Sequence, residues 1–315
     1  MSISTIFMAM AKLFIILVIG YICEKAGIFP KETQNVLNKI VIYLGNPCII
    51  LYSVLASSSL PEPAVTLRIL AAAVLAYAMM TALAWLAVKI FRVPLGTRGV
   101  FMCMLIFANC SFFGVPVTQT LFGDTAVFYL SVFNLPFVPL LFTMGYYVMM
   151  KDSAALAGTE QKLKISWRSF LLNPNLIMSV LAIVLSFVGC SFVPSFITET
   201  SGMIGNLCAP CALFAIGSSL AKQPARNMLG SSRVYALSAL RLIVFPAAVW
   251  FVIHLFVKDP TILGVAVVAL GMPVATMVGM LASEYKSDEQ FCMQGIFIST
   301  VLSIITIPLL VTILA

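Results

Sequence analysis

The chain has 315 residues, 62% of them hydrophobic and only 9% charged, with a formal net charge of +7. A soluble domain carries about 25% charged residues, so a water-facing globule is excluded and lipid is the solvent. The basic surplus, which in a soluble chain would suggest nucleic acid, sits in short loops between apolar runs; it reads as membrane orientation, and no nucleic-acid partner is expected.

A helix crosses the hydrocarbon core with about 20 apolar residues. Taken in chain order between turn residues and charges, ten spans are expected: 3–23, 36–57, 64–88, 99–122, 125–150, 170–189, 194–221, 233–256, 261–284 and 290–314. No cleavage site of small residues precedes the first, which therefore reads as a retained helix and not a signal peptide. The longest polar stretch, 151–168, is the expected cytoplasmic linker between a first unit at 1–150 and a second at 169–315, each with five spans. Of the eighteen Lys and Arg residues, fourteen follow odd-numbered spans, while Arg68 and Lys258 alone follow even ones. Positive residues collect on the cytoplasmic side. The expectation is a multi-pass protein of the inner (cytoplasmic) membrane with both termini outside. The eight cysteines fall mostly inside apolar runs and read as small apolar residues, not as a disulfide framework.

Five spans is an odd number, so two units of one fold must enter the membrane in opposite orientations. Residues 108–114 (ANCSFFG) and 273–279 (PVATMVG) correspond at an offset of 165, each in the middle of the fourth span of its unit. Asn46-Pro47-Cys48 and Ala209-Pro210-Cys211 correspond in the second spans. Paired interruptions at matching places point to a transporter's binding site. The fold class expected is an all-α membrane protein, ten transmembrane helices arranged as an inverted five-plus-five repeat with helices four and nine broken.

Asn109-Cys110-Ser111 stands in mid-membrane, where an unpartnered amide costs several kcal/mol, and Pro116 frees the carbonyl one turn earlier. An unwound helix here would present a half-helix N-terminus, able to hold a carboxylate without a buried cation. The alternative for Asn109 is a hydrogen bond that glues neighbouring helices. In the ninth span, Pro273-Val274-Ala275 forms the second break and Thr276 supplies a hydroxyl beside it. The candidate substrate-binding residues are therefore Asn109, Cys110, Ser111 and Pro116; Pro273, Val274, Ala275 and Thr276; and Asn46. Arg241, an ionisable residue inside the eighth span, joins them as a group that draws an anion inward, with snorkelling to the interface as its alternative. Asp124 is expected to cap the fifth span, and His254 to sit at the outer interface.

The run Asn109–Pro116, Asn-Cys-Ser-Phe-Phe-Gly-Val-Pro, resembles the fourth-span motif of the auxin efflux carrier family, and Pro273 to Tyr285 resembles its ninth span. Asn173-Pro174-Asn175 and Gly217-Ser218-Ser219-Leu220 also fit at the sixth and seventh spans, so the resemblance extends along the whole chain. It implies an inverted repeat whose fourth and ninth spans cross at midplane. Spans one, two, six and seven would be a scaffold, the site of a possible homodimer contact. Spans three to five and eight to ten would be a transport domain moving as an elevator. It implies movement of a small organic anion such as malate, malonate or an auxin-like acid, with Asn109 touching the substrate. Two departures stand out: Ala108 replaces the proline of plant members, and 71–88 lacks the ionisable residues linked there to coupling.

Two rival functions follow from particular residues. The bile-acid sodium symporters share this architecture, but sodium needs several oxygen ligands, and the ninth-span break has no Asp, Glu or Gln. Cys208-Ala209-Pro210-Cys211 has the spacing of a thiol redox motif, yet it lies near midplane with no second cysteine pair in a polar loop. No cofactor and no metal is expected, and the chain is not read as an enzyme. The orientation is testable: single cysteines at positions 158 and 228 should react only with reagents that reach the cytoplasm, and one at 61 from outside. Outside labelling of position 158 would reverse the topology.

Overall fold

The computed structural model describes residues 3–56, 62–157, 171–190, 192–222, 231–285 and 287–314. All named elements among them are helical. Among the described residues, six helices are long and apolar enough to cross a membrane: Thr33–Leu55, Pro63–Ile90, Asp124–Ala155, Ser195–Lys222, Ser232–Phe256 and Glu289–Leu314. Pro174–Val188 and Pro260–Gly271 are shorter apolar helices. Large apolar side chains stand exposed along these helices, among them Leu67, Trp85, Val188, Phe251 and Ile305. Water would penalise such a surface, whereas lipid does not.

Proline accounts for most of the departures from regular winding. Four described segments wind as π-helix, and three of them, Val41–Gly45, Cys110–Gly114 and Leu240–Val244, are each followed two residues on by a proline: Pro47, Pro116 and Pro246; the fourth, Leu141–Gly145, has none there. Proline offers no N–H to the carbonyl four residues back, and its ring crowds that carbonyl, so the preceding turn widens. The fifth expected span, 125–150, is interrupted: Asp124–Phe133 ends in a turn over 134–136 before helix resumes at Phe137. Its end also runs further than expected. Tyr146–Ala157 carries helix into the first residues of the stretch read as a linker; positions 158, 228 and 61 lie outside the described residues. Asp124 is not a cap. Gly123, with φ +84°, holds the capping position, and the Asp124 carboxylate accepts from Gln119 Nε2 at 2.8 Å.

Helix Ile3–Lys25 packs along Cys208–Lys222 through glycines. A Cβ on Gly20 would stand 2.8 Å from Phe214 Cα, and one on Gly217 would collide with Leu17 O and Tyr21 N. The far end of this pair is pinned by Glu24, which accepts from Ser218 Oγ at 2.6 Å and pairs with Lys222 at 3.8 Å. Elsewhere the buried Asp152 carboxylate accepts from Gly96 N and Gly99 N, both at 3.0 Å, at the start of helix Arg98–Ile106. Asp288 clasps the same loop through Thr97 Oγ1 at 2.9 Å.

Close backbone approach of this kind tolerates no side chain. Gly217→Ala is expected to lower the melting temperature in detergent and the folded yield by several-fold. A Gly217→Ala protein melting with the wild type would show that the helices part without cost.

Candidate anion site at two paired helix breaks

Two interrupted helices meet inside the protein. One runs Arg98–Ile106, breaks over 107–109 and resumes at Cys110; the other runs Pro260–Gly271, breaks over 272–275 and resumes at Thr276. The breaks pair as an antiparallel bridge between Ala108 and Val274. Asn109 N donates to Pro273 O at 2.8 Å, Ala275 N donates to Phe107 O at 3.0 Å, and Val274 N donates to Ser299 Oγ at 3.1 Å. Each break thus satisfies main-chain groups of the other where no water is available. The two exchanged bonds make Phe107 equivalent to Pro273 and Asn109 equivalent to Ala275, an offset of 166, one more than the correspondence visible in sequence.

Asn109 is buried, and its Oδ1 accepts from Phe112 N at 3.4 Å, capping the resumed helix. The first turns of the two resumed helices have no carbonyl ahead of them. The N–H groups of Ser111, Thr276 and Met277 are therefore left without helical acceptors, at the positive ends of two helices.

A narrow cleft of about 50 Å³ adjoins this junction, lined by Asn46, Cys110, Ser111, Ser131, Asn134, Asn173, Asn175, Ser179 and Met277 with apolar neighbours, and by no Asp or Glu. Its asparagines are oriented by what their oxygens accept. Asn46 Oδ1 takes the Cys208 thiol at 2.7 Å, and Asn134 Oδ1 takes the Tyr77 hydroxyl at 3.1 Å. Asn173 Oδ1 caps helix Pro174–Val188, accepting from Asn175 N at 3.1 Å and Leu176 N at 3.2 Å. With their oxygens engaged, these amides have NH₂ donors left to offer. Asn175 Oδ1 is buried and has no partner among the described residues. A donor-rich, carboxylate-free wall beside helix N-termini suits an anion and repels nothing about it.

A wider cleft of about 580 Å³ lies across the same segment, lined by Lys39, Tyr43, Phe112, Ser219, Thr276, Ser283 and Glu289 among others. Segment Cys110–Gly114 is the partition: Ser111 lines one cleft and Phe112 the other.

Of the residues expected from sequence, Asn46, Cys110 and Ser111 line the first cleft and Thr276 the second. Asn109, Pro273, Val274 and Ala275 build the paired breaks. Pro116 is buried in the first turn of Val115–Phe122. Arg241 borders neither cleft. It is 0% exposed, so it does not snorkel, and it borders a separate small cavity with Tyr77, Ala108 and Ala269. Cys208 and Cys211 are not bonded to each other, and the buried Cys208 thiol is spent on Asn46. His254 stacks on Trp250 at 4.8 Å. Among the described residues no three His, Cys, Asp or Glu side chains gather as a metal site.

Asn134, Asn175 and Tyr77 were not singled out as site residues by sequence. A signal existed: Asn134 stands two residues before Pro136, much as Asn46 stands before Pro47, and an Asn beside a Pro inside an apolar run marks a broken helix.

A profile of the family described as membrane transport protein matches residues 5–311. The chain belongs to this family, that of the auxin efflux carriers. It is a multi-pass membrane transporter. It is 27% identical over 298 residues to an uncharacterized transporter of Methanocaldococcus jannaschii, covering 94% of each chain. It is 23% identical over 303 residues to an uncharacterized transporter of Methanothermobacter thermautotrophicus, covering 95% of each. A protein of Rhizobium meliloti, provisionally named a malonate transporter, is 22% identical over 301 residues, covering 93% of this chain and 91% of its own.

Within this transporter the capping bond makes a separable prediction. Asn109→Ala loses the cap and should destabilise the protein by about 1 kcal/mol, read as a lower melting temperature. Asn109→Asp keeps an acceptor oxygen and should melt close to the wild type. Equal melting of all three proteins would remove the capping role.

Proposed function

We propose that this protein is a secondary transporter of small organic anions, mono- or dicarboxylates of the malonate and malate kind, working by alternating access without sodium. The observation that carries the proposal is the cleft in which Asn46, Asn134 and Asn173 have their oxygens occupied, beside the unpaired first turns at Ser111 and Met277. Such a wall donates and carries no acid, so it favours a carboxylate over a cation. The provisional name of the rhizobial relative supports the same substrate class. Asn109, its own oxygen turned to Phe112, contributes its NH₂ to the substrate from the edge of the break.

The architecture we infer is ten spans in an inverted five-plus-five repeat, with 151–168 as a cytoplasmic linker and both termini outside. Helices four and nine cross at the paired breaks. The two-fold relation of the exchanged main-chain bonds supports this. Polar contacts gather within the two groups of the inferred division. Glu24–Ser218–Lys222 and Asn46–Cys208 fall within the scaffold of spans one, two, six and seven. Asp152–Gly96, Asp288–Thr97, Tyr77–Asn134 and the paired breaks fall within the transport domain. Between the groups stands the Gln119–Asn206 amide contact at 3.2 Å, which an elevator movement would break. A homodimer through the scaffold leaves the transport domain free to move.

The test is binding and uptake by purified protein. Malonate at about 100 times its Kd should stabilise the protein by about 2.7 kcal/mol, and uptake into proteoliposomes should match in sodium and potassium buffers. Asn109→Asp, which sets a negative charge at the break, should bind malonate at least about tenfold more weakly. Steep sodium dependence would assign the bile-acid symporter mechanism instead. No stabilisation by any of a panel of mono- and dicarboxylates would overturn the anion reading.

A further inference from the structure

Arg241 is the largest side chain that is fully buried, and no acidic residue pairs with it among the described residues. It stands on the widened turn Leu240–Val244 that precedes Pro246. Its Nη1 donates to Leu105 O at 3.2 Å, while Nε and Nη2 meet no acceptor. The cavity it borders measures about 10 Å³, room for about one water and too little for a carboxylate. A guanidinium stays charged, and holding it in the membrane interior without compensation is expensive. Something negative must therefore face it.

The residues around it supply that charge. Leu105 lies in the last turn of Arg98–Ile106, and Ala269 and Leu270, which border the same cavity, lie in the last turn of Pro260–Gly271. Each helix C-terminus presents about half a negative charge through its unsatisfied carbonyls. The first is bonded to the guanidinium through Leu105 O and the second borders the same cavity, so the two ends together set roughly one negative charge against one positive.

We propose that Arg241 is a positioning residue: the built-in counter-charge of the two incoming helix C-termini. It supplies from within the chain a positive charge beside the paired breaks. The consequence for transport, which rests on the anion reading above, follows from the order of charges along each broken helix. A substrate at the N-terminal turns of Cys110 and Thr276 has the negative ends of the incoming helices close behind the break. Arg241 cancels those ends, so the substrate meets the positive ends alone. It thereby raises anion affinity without touching the anion, and Tyr77, which borders the same cavity, ties this region to the cleft through Asn134.

The experiment uses purified full-length protein, with melting temperature and malonate affinity measured on Arg241→Met, Arg241→Lys and Arg241→Ala. Arg241→Met keeps bulk and removes charge; it should melt below the wild type and bind malonate about tenfold more weakly. That factor is the effect of one charge removed at roughly 10 Å in a medium of effective dielectric about 20. Arg241→Lys should stay within about threefold of wild-type affinity. Arg241→Ala leaves a space shaped for the lost group. Low millimolar guanidinium should raise its melting temperature and affinity, whereas tetramethylammonium, or guanidinium added to Arg241→Met, should do neither.

The melting arm needs no substrate, so it decides the counter-charge even if malonate fails to bind the wild type. Arg241→Met melting with the wild type, or instability of Arg241→Ala that guanidinium does not relieve, would overturn the proposal by reducing Arg241 to packing. Guanidinium rescue of stability in variants that bind malonate at wild-type affinity would overturn its effect on the substrate.

Discussion

A broken helix in a bilayer exposes N–H and C=O groups that lipid cannot satisfy, each at a cost of several kcal/mol. The exchange of main-chain bonds between Asn109 and Pro273 and between Ala275 and Phe107 removes that cost for both breaks at once. Everything distinctive about the interior depends on this pairing. It allows four helix ends to meet in one place: two ends with surplus donors, at Cys110 and Thr276, and two with surplus carbonyls, at Ile106 and Gly271. The donors stand beside an amide-lined cleft; of the carbonyls, Leu105 O accepts from Arg241, while Ala269 O accepts from the Cys110 thiol at 3.6 Å. Charge is thus sorted across the breaks without an acidic side chain.

The surrounding structure holds this junction still. Asp152 and Asp288 clasp the loop that begins helix Arg98–Ile106, fixing the incoming segment at its far end. Asp259 caps the other incoming helix, accepting from Thr261 N at 2.8 Å and Ile262 N at 3.1 Å. Ser299 of the last long helix accepts from Val274 N at the break itself. Asparagine is used in one consistent way at Asn46, Asn109, Asn134 and Asn173. A nearby donor occupies the oxygen and fixes which end of the amide remains available. The same side chain in a soluble cleft would compete with water for its orientation.

Much of this was legible in the chain. Of the ten spans expected from hydropathy, the described residues show six helices long and apolar enough to cross a membrane and two shorter apolar ones; a 9% charged composition leaves few other boundaries to choose. Pro273 announces the second break, because proline removes a donor whatever surrounds it; Pro116 only widens the turn Cys110–Gly114, and the first helix breaks earlier, over 107–109. Less was readable where the answer depends on a distant partner. The turn at Asn134 interrupts an apolar run with no charge to flag it, and its role follows from Tyr77, far away in sequence. Arg241 was visible as an intramembrane charge, but periodicity could not tell a group at the interface from one wrapped around helix ends. Only the widened turn before Pro246 and the placement of Leu105 and Ala269 separate the two. Asp124 illustrates the opposite error: the residue type suited a cap, yet Gly123 takes the capping position and Gln119 takes the carboxylate.

The central claim is that the anion is held by the main-chain donors of the two resumed helices. Amide hydrogen exchange with and without saturating malonate reads those donors directly. The account expects malonate to slow exchange in two short segments far apart in sequence, Ser111 to Gly114 and Thr276 to Val278, with lesser change elsewhere. Protection confined to the wider cleft around Lys39 and Glu289, with the two first turns exchanging at unchanged rates, would contradict it.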